Sequence, residues 1–453
     1  MSTPSTGLPP VVPATEPEVD LAGFEANVTA SDAMDAEPPA DDLPAVGGKF
    51  IWFLVLAVLG VYVAFVTPIA MSLAIAVQDL APGREEFLGY IIGAGSVVAV
   101  LSGPVVGAAS DRLRTRWGRR RPVMLVGGLI GMAALFVMAS APNLLVLTLG
   151  WMLAQLGWNN VIAMLMAVQA DRLPESQRGK VAGLTGFATM IGPVVGAGLG
   201  ASLAGDMLLL FVVPGVVGLV GLALFLLFVR EADNRDQPAG DALTARSVLR
   251  NFLFSPKANP DFAWNWAGRF LFMFGVTFNT TFLTLFLSER AGSSVQEAAG
   301  TIALVSIVGV LASAIGALGG GFISDKLQRR RALVMASGVI FTVGAVVMAA
   351  SSDLGPAVAG ALLANLGLGL FSSVDQALVL DVLPSKKTDA GRFIGINQFS
   401  VTIPQALAPL IAPALLTMNA VGDEKNYGLL FVVAGVFTLV GGSVVLTRVK
   451  GAR

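Results

Sequence analysis

The hydrophobic and polar positions of this chain alternate on a long scale, with apolar runs of about 20 residues or more separated by polar loops. Each run is long enough to cross a bilayer as a helix. A backbone in lipid is limited to helices or closed barrels, and the period-2 alternation of barrel strands is absent from the sequence. The pattern predicts an all-α membrane protein with twelve transmembrane helices. The predicted spans are approximately 50–77, 87–109, 122–141, 143–170, 180–203, 207–229, 262–288, 295–323, 332–351, 354–380, 392–417 and 427–447.

Composition agrees with a chain whose main solvent is lipid. Hydrophobic residues make up 55% of the 453 residues and charged residues only 13%, against roughly 25% charged in soluble proteins. Cysteine and histidine are both absent from the sequence, which excludes disulfides, thiol catalysis and the usual metal ligands and proton shuttle. The sequence also lacks a P-loop and a nucleophile–histidine pair. We therefore expect no enzyme activity, no ATP-driven pumping, no metal and no cofactor.

Polar segments divide the chain into two halves of six spans. Residues 1–48 carry nine acidic residues and no Lys or Arg, a composition typical of a disordered tail. A second polar segment separates spans six and seven. The expected order is a tail at 1–48, a six-helix bundle at 49–230, a linker at 231–261, a second bundle at 262–449 and a short tail at 450–453.

Basic residues predict the orientation of the spans. Of the 29 Lys and Arg residues, 25 lie at the two termini, in the loops that follow even-numbered spans and in the linker. Three lie on the other side, at Arg84, Arg290 and Lys425, and Arg269 lies inside span seven. Short loops rich in Lys and Arg stay in the cytoplasm. We expect both termini to be cytoplasmic, in the plasma or inner membrane of the cell. The basic loops then face lipid headgroups, and we expect no nucleic-acid partner.

Two loop sequences of the first half return in the second half. Gly-x-x-Ser-Asp-Arg-Leu at 107–113 returns as Gly-x-x-Ser-Asp-Lys-Leu at 321–327, and an arginine cluster follows each. Asp-Arg-Leu-Pro at 171–174 returns as Asp-Val-Leu-Pro at 381–384. The two separate loops recur after nearly the same number of residues, 214 and 210. Parallel repeats of six helices are typical of secondary transporters whose binding site lies between the halves.

The loop motif and the repeat resemble the major facilitator superfamily over nearly the whole chain, from about residue 49 to 449. The inserted form of the motif, Ser110-Asp111-Arg112 followed by Gly118-Arg119-Arg120-Arg121, is similar to the sucrose-transporter and glycoside–pentoside–hexuronide group. Asn159-Asn160 in span four also resembles plant sucrose carriers. The resemblance implies two bundles that rock about a central cavity lined by spans one, four, seven and ten.

Two departures from that group leave the coupling ion open. Gln155, Leu156 and Gly157 stand where sucrose carriers place an acidic residue. Span two lacks the aspartates that the resemblance to melibiose-type carriers would imply.

The resemblance also implies a cytoplasmic gate built from the repeated loops. Asp111, at the end of span two, would accept hydrogen bonds from the first amides of span eleven near Gly391, and Asp325 would do the same for span five near Gly179. Such contacts would close the cytoplasmic side and open again in each cycle. The alternative is that the arginines only set the topology. The gate candidates are Asp111, Arg112, Gly118, Arg119, Arg120, Asp325, Lys326 and Arg329.

Polar residues in the cavity-lining spans are the candidates for contacting a substrate or a coupling ion. Charge inside a bilayer costs several kcal/mol unless it is paired or hydrated. Arg269 and Asp375 lie at matching depths, about 10 Å from the cytoplasmic ends of their spans, so we expect an ion pair; the alternative is that Arg269 extends to the headgroups. As the one acid well inside a span, Asp375 is also the candidate for proton coupling. The full set is Gln155, Asn159, Asn160, Gln169, Arg269, Asn279, Thr280, Thr281, Asn365, Ser372, Asp375 and Gln376.

Aromatic residues and one proline add two smaller expectations. The candidates for stacking on a sugar ring are Tyr62, Phe65, Trp158, Trp264 and Trp266, although packing against helices or lipid is the more common role of such residues. Trp264 and Trp266 also suit a belt of aromatic residues at the membrane interface. Thr67-Pro68 interrupts span one, and we expect a kink there.

Together these patterns predict a secondary active transporter of a small polar organic solute, with import of a sugar or glycoside together with a proton as the first hypothesis. Two alternatives stay open. The Gly192-Pro193 stretch of span five resembles the motif of drug/proton antiporters, which would make the chain a proton-coupled exporter. A non-transporting membrane sensor would need a folded additional domain, and the composition of the tail does not suggest one. The expected partners are a small molecule and the lipid bilayer, and we expect a monomer.

Overall fold

The structure, a computed structural model, describes residues 44–231, 233–235, 254–383, 390–418 and 425–450. Residues 1–43 of the expected tail, 236–253 of the expected linker and 451–453 of the expected C-terminal tail lie outside the described residues. Within the described ranges the chain forms twelve helices that are long and apolar enough to cross a membrane. The predicted fold class, all-α with twelve spans, is confirmed.

The helices, labelled α1 to α12 in chain order, follow the predicted spans closely. The first six are α1 (Gly48–Leu80), α2 (Glu86–Arg112), α3 (Arg121–Ala139), α4 (Leu144–Arg172), α5 (Glu175–Leu203) and α6 (Met207–Phe228). The second six are α7 (Pro260–Arg290), α8 (Val295–Leu327), α9 (Arg330–Ala350), α10 (Leu354–Val382), α11 (Ala390–Thr417) and α12 (Tyr427–Arg448).

Side-chain caps mark the starts of several even-numbered helices. Asn143 accepts a hydrogen bond from an amide in the first turn of α4, Asp206 does so for α6, and Asn426 for α12. Ser294 and Glu297 form a reciprocal capping box at the start of α8. These side chains satisfy amides that a helix cannot satisfy itself, and they fix where each span begins.

Two helices contain a π turn at mid-length. In α1 the π turn spans Pro68–Ser72 and follows Thr67, whose hydroxyl donates to the Val63 carbonyl at 2.7 Å. Proline cannot supply the N–H of a regular α turn, so the expected interruption at Thr67-Pro68 takes the form of a π turn inside a continuous helix. In α4 the π turn spans Gln155–Asn159. Such turns occur frequently at functional sites.

The two halves pack their six helices in the same way. In the first half α1 packs on α5 and α6, α3 on α4 and α6, and α2 on α4. In the second half α7 packs on α11 and α12, α9 on α10 and α12, and α8 on α10. Each helix pair of the first half thus has a counterpart in the second half, formed by the two helices whose numbers are six higher. The repeat read from two loops is therefore a repeat of packing.

The loops at one end of the helices carry matching ion pairs. Arg120 Nε lies 3.0 Å from Asp171 Oδ2, and Arg330 Nη1 lies 2.5 Å from Asp381 Oδ2. The two arginines and the two aspartates are each 210 positions apart. We call the end that carries the loops 113–120, 173–174 and 328–329 the basic end, and the other the opposite end.

The first six helices, α1–α6, form one helix group, and α7–α12 form the other. The two helix groups meet at the opposite end and separate toward the basic end. α2 packs on α11, and α5 packs on α8. A Cβ at Gly89 of α2 would lie 2.4 Å from the Pro409 carbonyl oxygen of α11, so only glycine permits this approach. At Gly103 and Gly107, nearer the basic end of α2, no atom of the described residues lies within 4 Å of the corresponding position. As far as the described residues show, the space between the groups is open at the basic end.

Polar contacts also join the two groups near the opposite end. They link α1 to α7, α1 to α8, and α2 to the loop before α12. The contacts are Thr284 Oγ1 to the Ala70 carbonyl at 2.7 Å, the Val295 amide to Gln78 Oε1 at 3.0 Å, and Lys425 Nζ to Glu86 Oε2 at 3.0 Å.

Candidate functional site

A cavity of about 300 Å³ lies between the two helix groups, a size typical of small-molecule sites. Its wall comes from α1, α2, α4, α7 and α11, and none of the residues that line it is charged. The polar lining residues are Ser96, Gln155, Asn159, Thr277, Thr280, Thr281, Thr402 and Gln405. The apolar ones are Phe65, Ile69, Ile92, Ala99, Val100, Trp151, Met273 and Val276. Such a wall suits a neutral ligand that carries hydroxyl groups.

The π turn of α4 places two amides on the cavity wall. Gln155 begins the turn and Asn159 ends it, and both line the cavity. An amide both donates and accepts hydrogen bonds, which matches a sugar hydroxyl in either role. With Thr280 and Thr281 of α7, these two are the predicted substrate candidates that the structure brings to the cavity.

An aromatic pair forms one side of the cavity. Phe65 of α1 and Trp151 of α4 stack with ring centroids 6.0 Å apart and planes 21° from parallel. The Trp151 ring fits against α2 because residue 95 is glycine, where a Cβ would lie 2.4 Å from the indole. The buried Trp151 Nε1 has no hydrogen-bond partner in the described part of the chain. The aromatic pair on the cavity wall is suited to packing against the apolar face of a sugar ring.

The threonines of α7 present hydrogen-bond acceptors. Thr277 Oγ1 donates to the Met273 carbonyl at 2.8 Å, and Thr281 Oγ1 donates to the Thr277 carbonyl at 2.7 Å. Because each hydroxyl proton is used within the helix, the oxygen lone pairs are what a ligand would meet. The α7 wall therefore complements the amides of α4.

Four other neutral candidates lie outside the lining of this cavity. Their contacts are within one helix group, and one is exposed. Asn160 donates to Ser102 Oγ on α2 at 3.0 Å, Asn279 contacts Met348 Sδ on α9 at 3.6 Å, Asn365 donates to the Ala361 carbonyl of its own helix at 2.9 Å, and Gln376 is exposed on α10. Their proposed contact with a substrate stays a prediction.

The helices that line the cavity differ from those expected. The resemblance implied spans one, four, seven and ten, whereas α2 and α11 contribute and α10 supplies none of the lining residues. The reason is that α2 and α11 cross at the opposite end and close the cavity there. Sequence reasoning missed Thr402 and Gln405 of α11, although Gln398, Thr402 and Gln405 recur at helical spacing within an apolar span.

The expected ion pair joins α7 to α10. Arg269 Nη1 donates to Asp375 Oδ2, and the two side chains are 15% and 3% exposed. Arg269 lies one turn before the cavity residue Met273, on the same face of α7, so the pair lies beside the cavity toward the basic end. One turn further, Asn265 is fully buried and its amide has no hydrogen-bond partner among the described residues. Sequence reasoning did not single out Asn265.

A second chamber, which we call the inner chamber, lies between α1, α4 and α5. It measures about 350 Å³, and its polar lining consists of Tyr62, Gln169, Thr185 and Thr189. Thr185 donates to Gln169 Oε1 at 3.2 Å. Gln169 is ten residues beyond Asn159 in α4, so the inner chamber is about 15 Å nearer the basic end. Like the cavity, the inner chamber is lined only by uncharged residues.

The first basic loop is held by charges within one helix group. Arg120 lies 2.7 Å from Asp111 at the end of α2 and 3.0 Å from Asp171 at the end of α4, and Arg119 also pairs with Asp171 at 3.0 Å. The Glu231 carboxylate accepts the backbone N–H groups of residues 120 and 121 at 3.0 and 3.2 Å. It thereby caps the start of α3.

The structure explains why residue 118 in the first basic loop is a glycine. Gly118 has φ of +84°, and a Cβ there would lie 2.2 Å from Glu231 Cδ. Gln328, 210 positions later, has φ of +52°. The second loop therefore keeps the left-handed turn without the glycine.

The remaining gate candidates lie at the basic end. Arg112, Lys326 and Arg329 are exposed, and the side chain of Asp325 lies outside the described residues. Asp111 pairs with arginines of its own helix group, and no atom lies within 4 Å of a Cβ built at Gly179. The expected contacts of Asp111 with α11 and of Asp325 with α5 stay predictions for a state closed at the basic end.

Comparison with known families gives a match over most of the chain. A family model described as Major Facilitator Superfamily matches residues 51–409, and in a second stretch 299–452. The crystal structure of the nucleoside transporter NupG has a similar fold, with a TM-score of 0.72 and 12% sequence identity over 88% of this chain and 99% of that chain.

Curated relatives match the chain over shorter stretches. The General alpha-glucoside permease of Schizosaccharomyces pombe is 31% identical over 121 residues, which cover 25% of this chain and 20% of the permease. The Proton myo-inositol cotransporter of Homo sapiens is 32% identical over 123 residues, which cover 27% of this chain and 18% of the cotransporter. The chain thus aligns with about a fifth of the length of each relative.

Proposed function

This chain belongs to the Major Facilitator Superfamily, and from that premise we propose that it is a secondary active transporter of a neutral sugar, glycoside or cyclic polyol. The observation that carries this proposal is the central cavity, whose lining combines amides, hydroxyls and an aromatic pair and includes no charged residue. Hydroxyl groups need donors and acceptors, and the apolar face of a sugar ring packs on an aromatic ring. The alpha-glucoside and myo-inositol carriers that match locally support the same class of solute.

The proposed route runs from the cavity through the inner chamber to the basic end. Tyr62 and Gln169 in the inner chamber share helices with the cavity residues Phe65 and Asn159. A solute that leaves the cavity would exchange one set of neutral hydrogen-bond partners for another. Because basic loops stay in the cytoplasm, we assign the basic end to the cytoplasm of a plasma or inner membrane. The structure then corresponds to an inward-open state.

Closure of the basic end would complete the transport cycle. In that step α2 would approach α11, and Asp111 would exchange part of its contact with Arg119 and Arg120 for the first amides of α11. Asp325 would act in the same way toward α5. The bundles proposed at 49–230 and 262–449 would move as units in a monomer. Arg112, Gly118, Lys326 and Arg329 would shape the loops that carry this contact.

A proton is the proposed coupling ion, and Asp375 is its proposed binding site. Asp375 is buried, pairs with Arg269 and lies beside the route of the solute. Protonation of the carboxylate would free the guanidinium to move as the bundles rock. Import of the solute together with a proton and export of the solute in exchange for a proton would both use this site. The direction of the pH gradient that drives solute accumulation distinguishes the two.

A binding and flux screen tests the proposed function. The purified chain in neutral-lipid vesicles would be offered glucose, maltose, myo-inositol, uridine and glucuronate. We expect saturable binding and flux for at least one of the neutral sugars or the polyol, none for the anionic glucuronate, and accumulation only with an imposed pH gradient. Binding restricted to charged or apolar compounds would reject the proposal. Binding without flux would favour a non-transporting sensor.

A further inference from the structure

The N-terminal segment leaves the helix bundle at a fixed point. The Val46 amide donates to Gln177 Oε1 at 2.8 Å, and Gln177 Nε2 donates to the Val46 carbonyl at 3.2 Å. Gln177 lies in the first turn of α5. Val46, which follows this segment closely in the chain, therefore lies beside the start of α5, at the basic end.

That segment has one sign of charge only. Residues 1–43 contain nine Asp and Glu residues and no Lys or Arg. The nearest acids, Asp41 and Asp42, are five and four positions from Val46, within about 17 Å of extended chain. An acidic segment is repelled by anionic lipid headgroups, so a basic protein surface within this reach is its natural partner.

Such a surface lies next to the anchor point. Arg178 and Lys180 are exposed in the first turns of α5, and Lys326 and Arg329 are exposed at the end of α8. We call the space between these four residues the basic groove. A segment of 43 residues can extend over roughly 140 Å, so both edges of the groove are within its reach.

The described residues leave the basic groove unfilled. α5 packs on α8, and in the loop after α5, at the opposite end, a Cβ at Gly205 would lie 3.9 Å from Gln296 Nε2. Toward the basic end, no atom of the described residues lies within 4 Å of a Cβ built at Gly179 or Gly183 of α5, or at Gly321 of α8. Within the described part of the chain, these glycines leave room for another chain segment.

We propose that residues 1–43 of this chain dock on the basic groove when the basic end is open. The segment is tethered by Val46, so its effective concentration at the groove reaches the millimolar range. This inference rests on the charges, the anchor and the groove, and it does not depend on which solute the cavity binds.

Cross-linking in the full-length chain tests the docking, because the chain has no natural cysteine. Ala40→Cys would be paired with Gly321→Cys on the far edge of the groove, in vesicles of neutral lipid. We expect a short bifunctional thiol reagent to link the pair, and the rate to fall about tenfold at 1 M salt, where the screening length is roughly 3 Å. Replacing the nine acids by Asn and Gln should lower the rate by a similar factor.

Three comparisons fix the location and the occupant. Ala40→Cys with Trp117→Cys, on the other basic loop, should link more slowly than the groove pair. Lys180→Gln with Lys326→Gln should slow the groove link several-fold, whereas Arg116→Gln with Lys450→Gln should not. Equal rates for the acidic and neutralised segments, faster linking at Trp117, or loss of the groove link in vesicles with anionic lipid would each overturn the proposal; the last would assign the groove to lipid headgroups. None of these outcomes depends on transport activity.

Discussion

Glu86 of α2 and Lys425, the second residue before α12, form an ion pair of 3.0 Å that joins the two helix groups at the opposite end. Both side chains are nearly buried, at 11% and 13% exposed. Arg84 also pairs with Glu86 at 3.0 Å, but it belongs to the same helix group. Glu86 is therefore held by two cations, and one of them crosses between the groups. Arg84 and Lys425 are two of the three basic residues that the sequence places on the side opposite the basic loops, and both pair with the Glu86 carboxylate.

Lys425→Gln should weaken closure of the opposite end. Breaking a buried pair costs about 3–5 kcal/mol, and the residual exposure together with the remaining Arg84 contact reduces this to about 2 kcal/mol. The balance between the two states should shift roughly thirtyfold toward opening at the opposite end. The measurement is the rate at which a membrane-impermeant thiol reagent, added on that side, labels a cysteine introduced at Ser96 in the cavity.

Arg84→Gln is the matched control for the Lys425 variant. It removes one cation from the same carboxylate without removing a contact between the groups. Labelling should change by less than about threefold. Similar labelling rates in the two variants would show that the crossing contact does not hold the opposite end closed.

Adjacent asparagines in α4 should have separable effects. Asn159 lines the cavity, whereas Asn160 donates to Ser102 on α2. Asn159→Ala should weaken binding of the transported sugar by about 1 kcal/mol, or roughly fivefold in Kd, because a ligand hydroxyl loses its partner. Asn160→Ala should leave Kd within about twofold and instead lower Tm, because a hydrogen bond between spans contributes about 0.6 kcal/mol. A Kd that responds to Asn160 and not to Asn159 would move the binding site elsewhere.

The sequence predicted much of this fold because its signals are long and repeated. Twelve apolar runs fix the spans, and the constraint on backbone groups in lipid leaves helices as the solution. The Arg120–Asp171 and Arg330–Asp381 pairs occupy matching positions because the loop repeats lie 210 residues apart. The pairing of Arg269 with Asp375 followed from the cost of charge at a shared depth.

The candidate site was less accessible to sequence reasoning. Gln155 and Asn159 line the cavity, whereas Asn279 and Asn365 do not. The direction of a side chain depends on helix rotation and on turns such as the π turn at Gln155–Asn159, and an apolar membrane helix has no strong polar face to show its rotation. The contribution of α11 depends on its crossing with α2, which no local pattern in the sequence encodes.

Replacing Arg269 alone should destabilise the protein more than replacing Arg269 and Asp375 together. Arg269→Leu leaves a buried carboxylate without its partner, and it should lower stability by about 3 kcal/mol. Arg269→Leu with Asp375→Leu should recover most of that loss, since a buried pair can be replaced by apolar side chains at little cost. The measurement is chemical unfolding of the purified protein in detergent. A double variant as unstable as the single one would show that the pair is not the source of the loss.

Asp375→Asn should separate binding from coupling. The amide keeps the shape of the side chain but removes the exchangeable acid, so sugar exchange between equal solutions should continue. Accumulation driven by an imposed pH gradient should fall at least about tenfold, as expected for loss of a proton-transfer group. Coupling that persists in this variant would remove Asp375 as the proton site.

Asp111→Asn should slow closure of the basic end if Asp111 contacts α11 in the closed state. An amide retains part of the contact with Arg119 and Arg120 but loses the charge that favours a helix N-terminus, a change of about 1 kcal/mol. We expect uptake to slow roughly fivefold and a cysteine introduced at Gly107 to be labelled faster from the basic end.

Asp171→Asn is the matched control, because Asp171 pairs with the same two arginines from the end of α4. This aspartate holds the loop within one helix group and has no proposed contact with α11. Its replacement should lower Tm while leaving the labelling of the Gly107→Cys position unchanged. If the two variants slow uptake equally and shift labelling equally, the carboxylates act only by holding the loop, and the gate between α2 and α11 must depend on other contacts.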